Sequence, residues 1–209
     1  MTRKEIKTVT CPACVEEAPF EICTVIDVCE NPELKEALFS RELFRFHCPN
    51  CGEEILTAYD CRLIDSEKSA VIALVTDKDA VPAEYSPEVE GCTLRVVRTI
   101  NELAEKAAQL EDGVDDRVTE LYKIMLEDQY AEEHPNAEIL GIYYSGKNAE
   151  DGSVNFYIIT GNDMNCRASL SADAYEAVKG QLAGICGGNS CEINREWAIG
   201  ALQGGFGKK

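Results

Sequence analysis

No stretch of this chain approaches the roughly 20 consecutive apolar residues that a membrane-spanning helix requires. Nor does an apolar segment of signal-peptide length follow the charged opening Met1-Thr2-Arg3-Lys4-Glu5-Ile6-Lys7. The expected location is therefore the cytoplasm. Basic residues are scarce: 20 Lys and Arg stand against 38 Asp and Glu, a formal net charge of −18 over 209 residues. Nucleic-acid surfaces draw their affinity from clustered Lys and Arg that displace counterions, and no such cluster is visible, so nucleic acid is disfavoured as a partner. The acids are spread along the chain rather than gathered in a tail, which reads as a solvated surface. Low-complexity tracts are lacking, and the only internal repeat is a pair of Cys-Pro-x-Cys units. The apolar share of 45% is ordinary for a folded protein, and the length suits one large domain or two small ones.

Cysteine, by contrast, is plentiful. Eleven are present, and an odd count, uneven spacing and a reducing compartment argue against a disulfide framework and for metal binding. Cys11-Pro12-Ala13-Cys14 and Cys48-Pro49-Asn50-Cys51-Gly52 are two C-x-x-C knuckles. A knuckle turns both sulfurs to one side of the backbone, so two knuckles offer four thiolates, the full tetrahedral set for zinc with no open position. Cys11, Cys14, Cys48 and Cys51 are therefore expected to bind one structural Zn²⁺, and a closed site implies structure rather than catalysis. A lone Cys-Pro-Ala-Cys would also suit a thioredoxin-type dithiol. That fold needs a strand before the motif and a helix opening at it, whereas only ten residues precede Cys11 and Glu16 to Phe20 continues toward a strand. His47 adjoins Cys48 and is expected beside the ligands rather than among them. His134 reads as a solvated helix-end residue. Cys23, Cys29, Cys61, Cys92 and Cys166 read as inert core thiols. Cys186 and Cys191 flank a Gly-rich stretch, and two thiols alone do not make a zinc site.

Alternation marks a strand over residues 20–28, and further strands are expected at 43–47, 54–64, 70–76 and 93–97. Asn31-Pro32 is a helix start, with Asn31 as N-cap. Ile100, Leu103, Ala104, Ala107 and Leu110 then recur at helical spacing up to Asp112-Gly113. Asp115 and Asp116 open a second helix running to about Glu133, and the two should form an antiparallel hairpin. His134-Pro135-Asn136 is the clearest breaker. Beyond it lie a β-hairpin (138–144 and 154–160), a strand at 165–170, a helix capped by Ser171 and ending near Gly184, and a short helix after Asn194. The tail from Gly204 reads as frayed. The expected fold class is α+β: a zinc-ribbon-like β region and helical hairpin (98–134) within residues 1–134, followed by a C-terminal hairpin-plus-helix unit over 135–209.

The run Leu43-Phe44-Arg45-Phe46-His47-Cys48-Pro49-Asn50-Cys51-Gly52, paired with Thr10-Cys11-Pro12-Ala13-Cys14, resembles the bacterial and archaeal CpXC domain proteins. The likeness continues through Arg98-Thr99-Ile100-Asn101-Glu102-Leu103 and Glu111-Asp112-Gly113-Val114-Asp115-Asp116-Arg117, covering roughly residues 9 to 130. The resemblance implies a zinc-ribbon-like domain without an established activity.

Three functions compete. A closed metal site, an acidic surface and no recognisable catalytic group favour a zinc-stabilised scaffold working through another protein. Asp60, Asp65, Glu67 and Lys68 form a pattern that faintly resembles carboxylate–lysine nuclease sites, which would require their convergence on a hard cation; a charged hairpin turn is the simpler account. A nucleic-acid-binding ribbon would have only Arg41, Arg45 and Arg62 near the knuckles.

Overall fold

The computed structural model describes residues 1–80, 91–161, 166–182 and 191–204. Within these, strands and helices are mixed without βαβ alternation, an α+β architecture with a five-stranded, a three-stranded and a two-stranded sheet. Two compact units divide the chain, Met1–Ala104 and Glu105–Lys209.

The first unit opens with β1 (Arg3–Thr10), which pairs antiparallel with β2 (Glu17–Asp27). The sequence reading missed β1, and the reason is physical. Its side chains are almost all exposed, so the polar/apolar alternation that betrays a half-buried strand is weak. Next come α1 (Pro32–Phe39), a 3-10 turn (Glu42–Phe44), and β3 (Arg45–His47) paired with β4 (Glu54–Leu56). Asn31 occupies the N-cap position of α1, as expected, but its side chain does not cap the helix. Its Oδ1 instead accepts from the Thr2 hydroxyl at 2.7 Å, a consequence of β1 lying alongside.

The strand expected over 54–64 is two strands. β4 ends at Leu56, and β5 (Cys61–Asp65) joins the large sheet beside β2, running parallel to it. Tyr59 makes the break: its ring packs at 5.0 Å from Phe44, and its hydroxyl donates to Leu43 O at 2.8 Å. β6 (Ala70–Leu74) is buried along its whole length, and β7 (Thr93–Val97) completes the sheet order β1-β2-β5-β6-β7.

The division between units falls within α2 (Ile100–Glu111). Thr99 and Glu102 form a reciprocal capping box at its start: Glu102 N donates to Thr99 Oγ1 at 3.1 Å, and Glu102 Oε2 accepts from Thr99 N at 3.3 Å. At its end Gly113 adopts φ +64°, Gly113 N donates to Leu110 O, and Val114 N donates to Gln109 O, a Schellman closure. Beyond its chain neighbours, no described residue would crowd a side chain at Gly113. Gly113→Ala is therefore expected to cost about 1 kcal/mol from backbone strain alone, readable by urea denaturation.

In the second unit α3 (Asp116–Glu133) is capped by Asp115, whose side chain accepts from Arg117 N. β8 (Ile139–Lys147), β9 (Val154–Thr160) and β10 (Cys166–Leu170) form an antiparallel sheet with β9 at its centre. α4 (Ala172–Leu182) starts at Ser171, whose hydroxyl accepts from Ala174 N, and α5 (Arg195–Gly204) starts at Asn194, whose Oδ1 accepts from Trp197 N. The expected helix end near Gly184 and the tail from 205 lie outside the described residues. One core holds α3 and the strands together: Val118, Leu121 and Leu126 pack with Tyr144, Val154, Phe156, Leu170 and Tyr175. By packing, α3 thus belongs with the strands that come after the 134–136 breaker, although the sequence groups it with residues 1–134.

Candidate metal centre

Each knuckle is the tip of a β-hairpin. β1 leads into Cys11–Cys14 and β2 leaves it, while β3 leads into Cys48–Cys51 and β4 leaves it. The two turns share one hydrogen-bond scheme. Cys11 N donates to Glu16 O and Val15 N to Cys11 O; correspondingly, Cys48 N donates to Glu53 O and Gly52 N to Cys48 O. Both turns need a left-handed residue after the second cysteine, Gly52 at φ +78° and Val15 at φ +63°. Glycine accepts this conformation freely, whereas a β-branched residue is strained there. Val15 is also 76% exposed, so packing returns little for the strain. Val15→Gly should raise stability by about 0.5–1 kcal/mol without altering metal content, checked by thermal melting alongside metal analysis.

The hairpins bring the four sulfurs together. Cys11 Sγ lies 3.6 Å from Cys51 Sγ, and Cys14 Sγ lies 3.6 Å from Cys48 Sγ. All four sulfurs fall within 4.8 Å of one another, and among the described residues no other His, Cys, Asp or Glu group of three or more converges so closely. A tetrahedron with Zn–S of 2.3 Å requires S···S of about 3.8 Å, so the cage has the size for one such ion. Cys11 and Cys48 are buried in a small core with Ala18 and Phe46, flanked by Val9, Phe20 and Ile55. Phe20 meets Phe46 edge-on at 5.7 Å.

Four thiols this close cannot all ionise without a compensating cation. A hydrogen bond from the Asn50 side chain, with one from the Glu16 backbone, holds Cys14 down at about 6. Cys51 has a Glu53 backbone hydrogen bond that favours its thiolate, yet desolvation and the neighbouring sulfurs push it up to about 12. A divalent cation removes that conflict, because it is the charge toward which all four thiolates point. Sequence reasoning missed the part played by Asn50, whose residue type in a knuckle carries no distinctive signal.

The surroundings are polar. His47 stands outside the cage, with Nδ1 3.1 Å from Glu54 and Nε2 3.7 Å from Glu42. Arg45 is paired with the same two glutamates, at 3.2 and 3.3 Å. Arg41 is exposed at the start of the 3-10 turn, and Arg62 is half-buried in β5. Strand β1 does precede the first knuckle, contrary to the expectation from the ten residues available. The chain leaves Cys14 as strand β2, however, and not as the helix a thioredoxin-type dithiol needs. The other candidate residues do not converge. Asp60 lies at the start of β5, where its Oδ1 accepts from Thr76 N at 2.8 Å. Asp65 lies at the opposite end of the strand, about 16 Å away at strand rise, with its Oδ1 accepting from Lys68 N at 3.0 Å. Glu67 is exposed in the turn between β5 and β6.

The remaining thiols vary. Cys23 and Cys61 are buried, and burial pushes both up, Cys61 to about 12. Cys29 is exposed, against the expectation of a core thiol, and Cys92, Cys166 and Cys191 are half-buried. Cys186 lies outside the described residues. His134 ends α3, where it stacks on Tyr130 at 4.5 Å.

A match to the family model described as CpXC protein spans residues 9–123, taking in both knuckles, α2 and the first turns of α3. The chain belongs to the CpXC family. No curated protein and no solved structure matches it significantly. The family-like segment Asp112-Gly113-Val114-Asp115-Asp116-Arg117 has a role in the fold. Asp112 accepts from the Tyr144 hydroxyl and from Lys147 N, Gly113 closes α2, Asp115 caps α3 and binds the Arg117 guanidinium at 2.5 and 2.9 Å, and Asp116 pairs with Lys106 at 3.2 Å. In this CpXC protein the segment is helix punctuation.

Proposed function

We propose that the CpXC cage holds one structural Zn²⁺ through Cys11, Cys14, Cys48 and Cys51, and that the protein is a cytoplasmic scaffold acting through contact with another protein. The observation that carries the reading is the closure of the site. Each sulfur of the cage faces the other three, so a bound ion has its full coordination from protein and keeps no position for substrate or water. Thiolates select zinc over magnesium or calcium, which take oxygen ligands. The absence of convergence among Asp60, Asp65 and Glu67 fits the same reading, as does the pairing of Arg45 with glutamates at the ribbon surface. No described helix is long and apolar enough to cross a membrane. The test is elemental analysis of purified protein together with cross-linking in cells. One zinc per chain and a reproducible protein cross-link are expected; another metal, or nucleotide or ester hydrolysis abolished by acidic-residue substitution, would sink the reading.

A further inference from the structure

We infer that the exposed edge strand β1 pairs antiparallel with β1 of a second copy of this chain, in the register that puts Ile6 on the two-fold axis. The inference goes beyond the scaffold reading and does not depend on which metal the cage holds.

β1 is a terminal strand of the five-stranded sheet, with β2 on one side and no described strand on the other. Every residue of it but Val9 is exposed, and Ile6 is 69% exposed. In an antiparallel ladder, residues whose N–H and C=O face the partner alternate with residues whose groups face away. Three contacts fix which are which. Cys11 N donates to Glu16 O at 3.0 Å, so the next pair along, Thr10 and Glu17, faces away from the ladder. Thr8 then faces away as well, which suits its partner Pro19, a residue with no N–H to give. Cys23, opposite Lys4, turns its N–H to the Tyr59 hydroxyl at 3.3 Å rather than to β1. Lys4, Ile6 and Thr8 therefore present their N–H and C=O groups to the open side.

These groups meet their like in a second copy only about an axis that passes through one residue, and charge separates the choices. An axis at Lys4, Glu5 or Lys7 sets a charged residue against itself, which destabilises a strand pair. An axis at Thr8 carries Lys4 past the end of the partner strand. An axis at Ile6 leaves no such conflict. Glu5 of each copy stands opposite Lys7 of the other, Lys4 stands opposite Thr8, and the two exposed Ile6 side chains cover one another. The outward backbone groups are matched as well, since Ile6 exchanges two hydrogen bonds with Ile6 and each Lys4 exchanges two with Thr8.

The overall charge of −18 opposes self-association, but β1 reverses it locally, with Arg3, Lys4 and Lys7 against Glu5. Charges farther than about 8 Å are largely screened at physiological salt. Lysine on an edge strand usually repels a foreign strand. Here Lys7 finds its counter-charge only in a copy of the same strand, so what hinders other strands admits this one. The pairing uses the same edge of both copies, which closes the assembly at two. One strand pair is a small seam, so the dimer should form and dissociate with concentration.

The test is sedimentation equilibrium of the purified full chain over a range of concentrations at physiological salt. A reversible monomer–dimer equilibrium is expected. Lys7→Glu sets carboxylates opposite one another at two places in the seam and should weaken the dimer about tenfold. Glu5→Lys should do the same, and the chain carrying both substitutions should regain the original association. Ile6→Pro deletes an N–H that makes no bond to β2, so the fold should survive and the dimer should be lost. Zero-length carbodiimide coupling in a mixture of isotopically light and heavy chains should join Glu5 of one copy to Lys7 of the other. A monomer at every concentration, a dimer indifferent to Lys7→Glu or Ile6→Pro, no recovery in the double variant, or coupling at another surface overturns the proposal. If Ile6→Pro does not fold, the charge exchange decides alone. Zinc content and cross-linking to a different protein are read separately, so failure of this seam leaves the scaffold reading standing and failure of that reading leaves the seam.

Discussion

Cys51→Ser should leave the purified protein without its metal and lower its melting temperature by about 6–12 °C. The cause lies in how the first unit is built. Cys11 and Cys48 anchor a core of few side chains, and the β3–β4 hairpin has three residues per strand, too few to persist alone. A metal held by the four sulfurs would therefore be folding energy for both hairpins. Structural zinc in small metallo-domains contributes ~10–16 kcal/mol of apparent free energy, and a three-thiolate site forfeits a good part of it. A loss of about 3 kcal/mol corresponds to the stated shift for a chain of this size. Cys29→Ser is the matched control: that thiol is exposed and lies 3.6 Å from Asp65, so metal content and melting should stay as they were. Acid should release the metal, since each ligand must be a thiolate to bind. Full metal retention by Cys51→Ser at unchanged melting temperature would remove the central claim.

Lys106→Met should destabilise the second unit by about 3–5 kcal/mol, the usual cost of removing one partner from a buried ion pair. Lys106, with its side chain 4% exposed, lies 3.2 Å from Asp116 and 3.1 Å from Glu120. Lys123 extends the array, 3.0 Å from Glu120 and 2.6 Å from Glu105. Gln109 adds a buried hydrogen bond to Thr119 at 2.9 Å. The penalty comes from leaving Glu105, Asp116 and Glu120 with one buried lysine in place of two, so Lys106→Met combined with Glu120→Gln should recover part of it. Chemical denaturation of the single and double variants reads this non-additivity. Desolvation by itself would lower the Lys123 pKa, but Glu105 and Glu120 more than offset it and hold it above the ordinary lysine value. A raised lysine contributes its full stabilisation below the unfolded value near ~10.4 and loses it as pH rises through the folded one. The Lys123 contribution should therefore be indifferent to pH from neutrality to about 9.

The four clustered cysteines were legible because C-x-x-C spacing is itself geometry: a tight turn has only a few ways to present two sulfurs. The caps at Asp115, Ser171 and Asn194 were legible for a similar reason, as the side chain and the backbone groups it serves lie within one turn of chain. β1 was not. An exposed edge strand carries no pattern of its own and is defined by β2, its partner. The break at Tyr59 was equally hidden, since it depends on Phe44 and on the carbonyl of Leu43, brought near only by the fold.

By itself, then, the sequence determined which four cysteines come together, the α+β class and the positions of most helix ends, all of them matters of short-range spacing. The tertiary structure alone decided that each knuckle caps a hairpin, that Asp60 and Asp65 sit at opposite ends of one strand, and that Lys106 and Lys123 are buried among carboxylates. Each of these depends on contacts between residues far apart in the chain. Local spacing does not encode such contacts, because they form only when distant apolar faces find one another and bring the polar groups along.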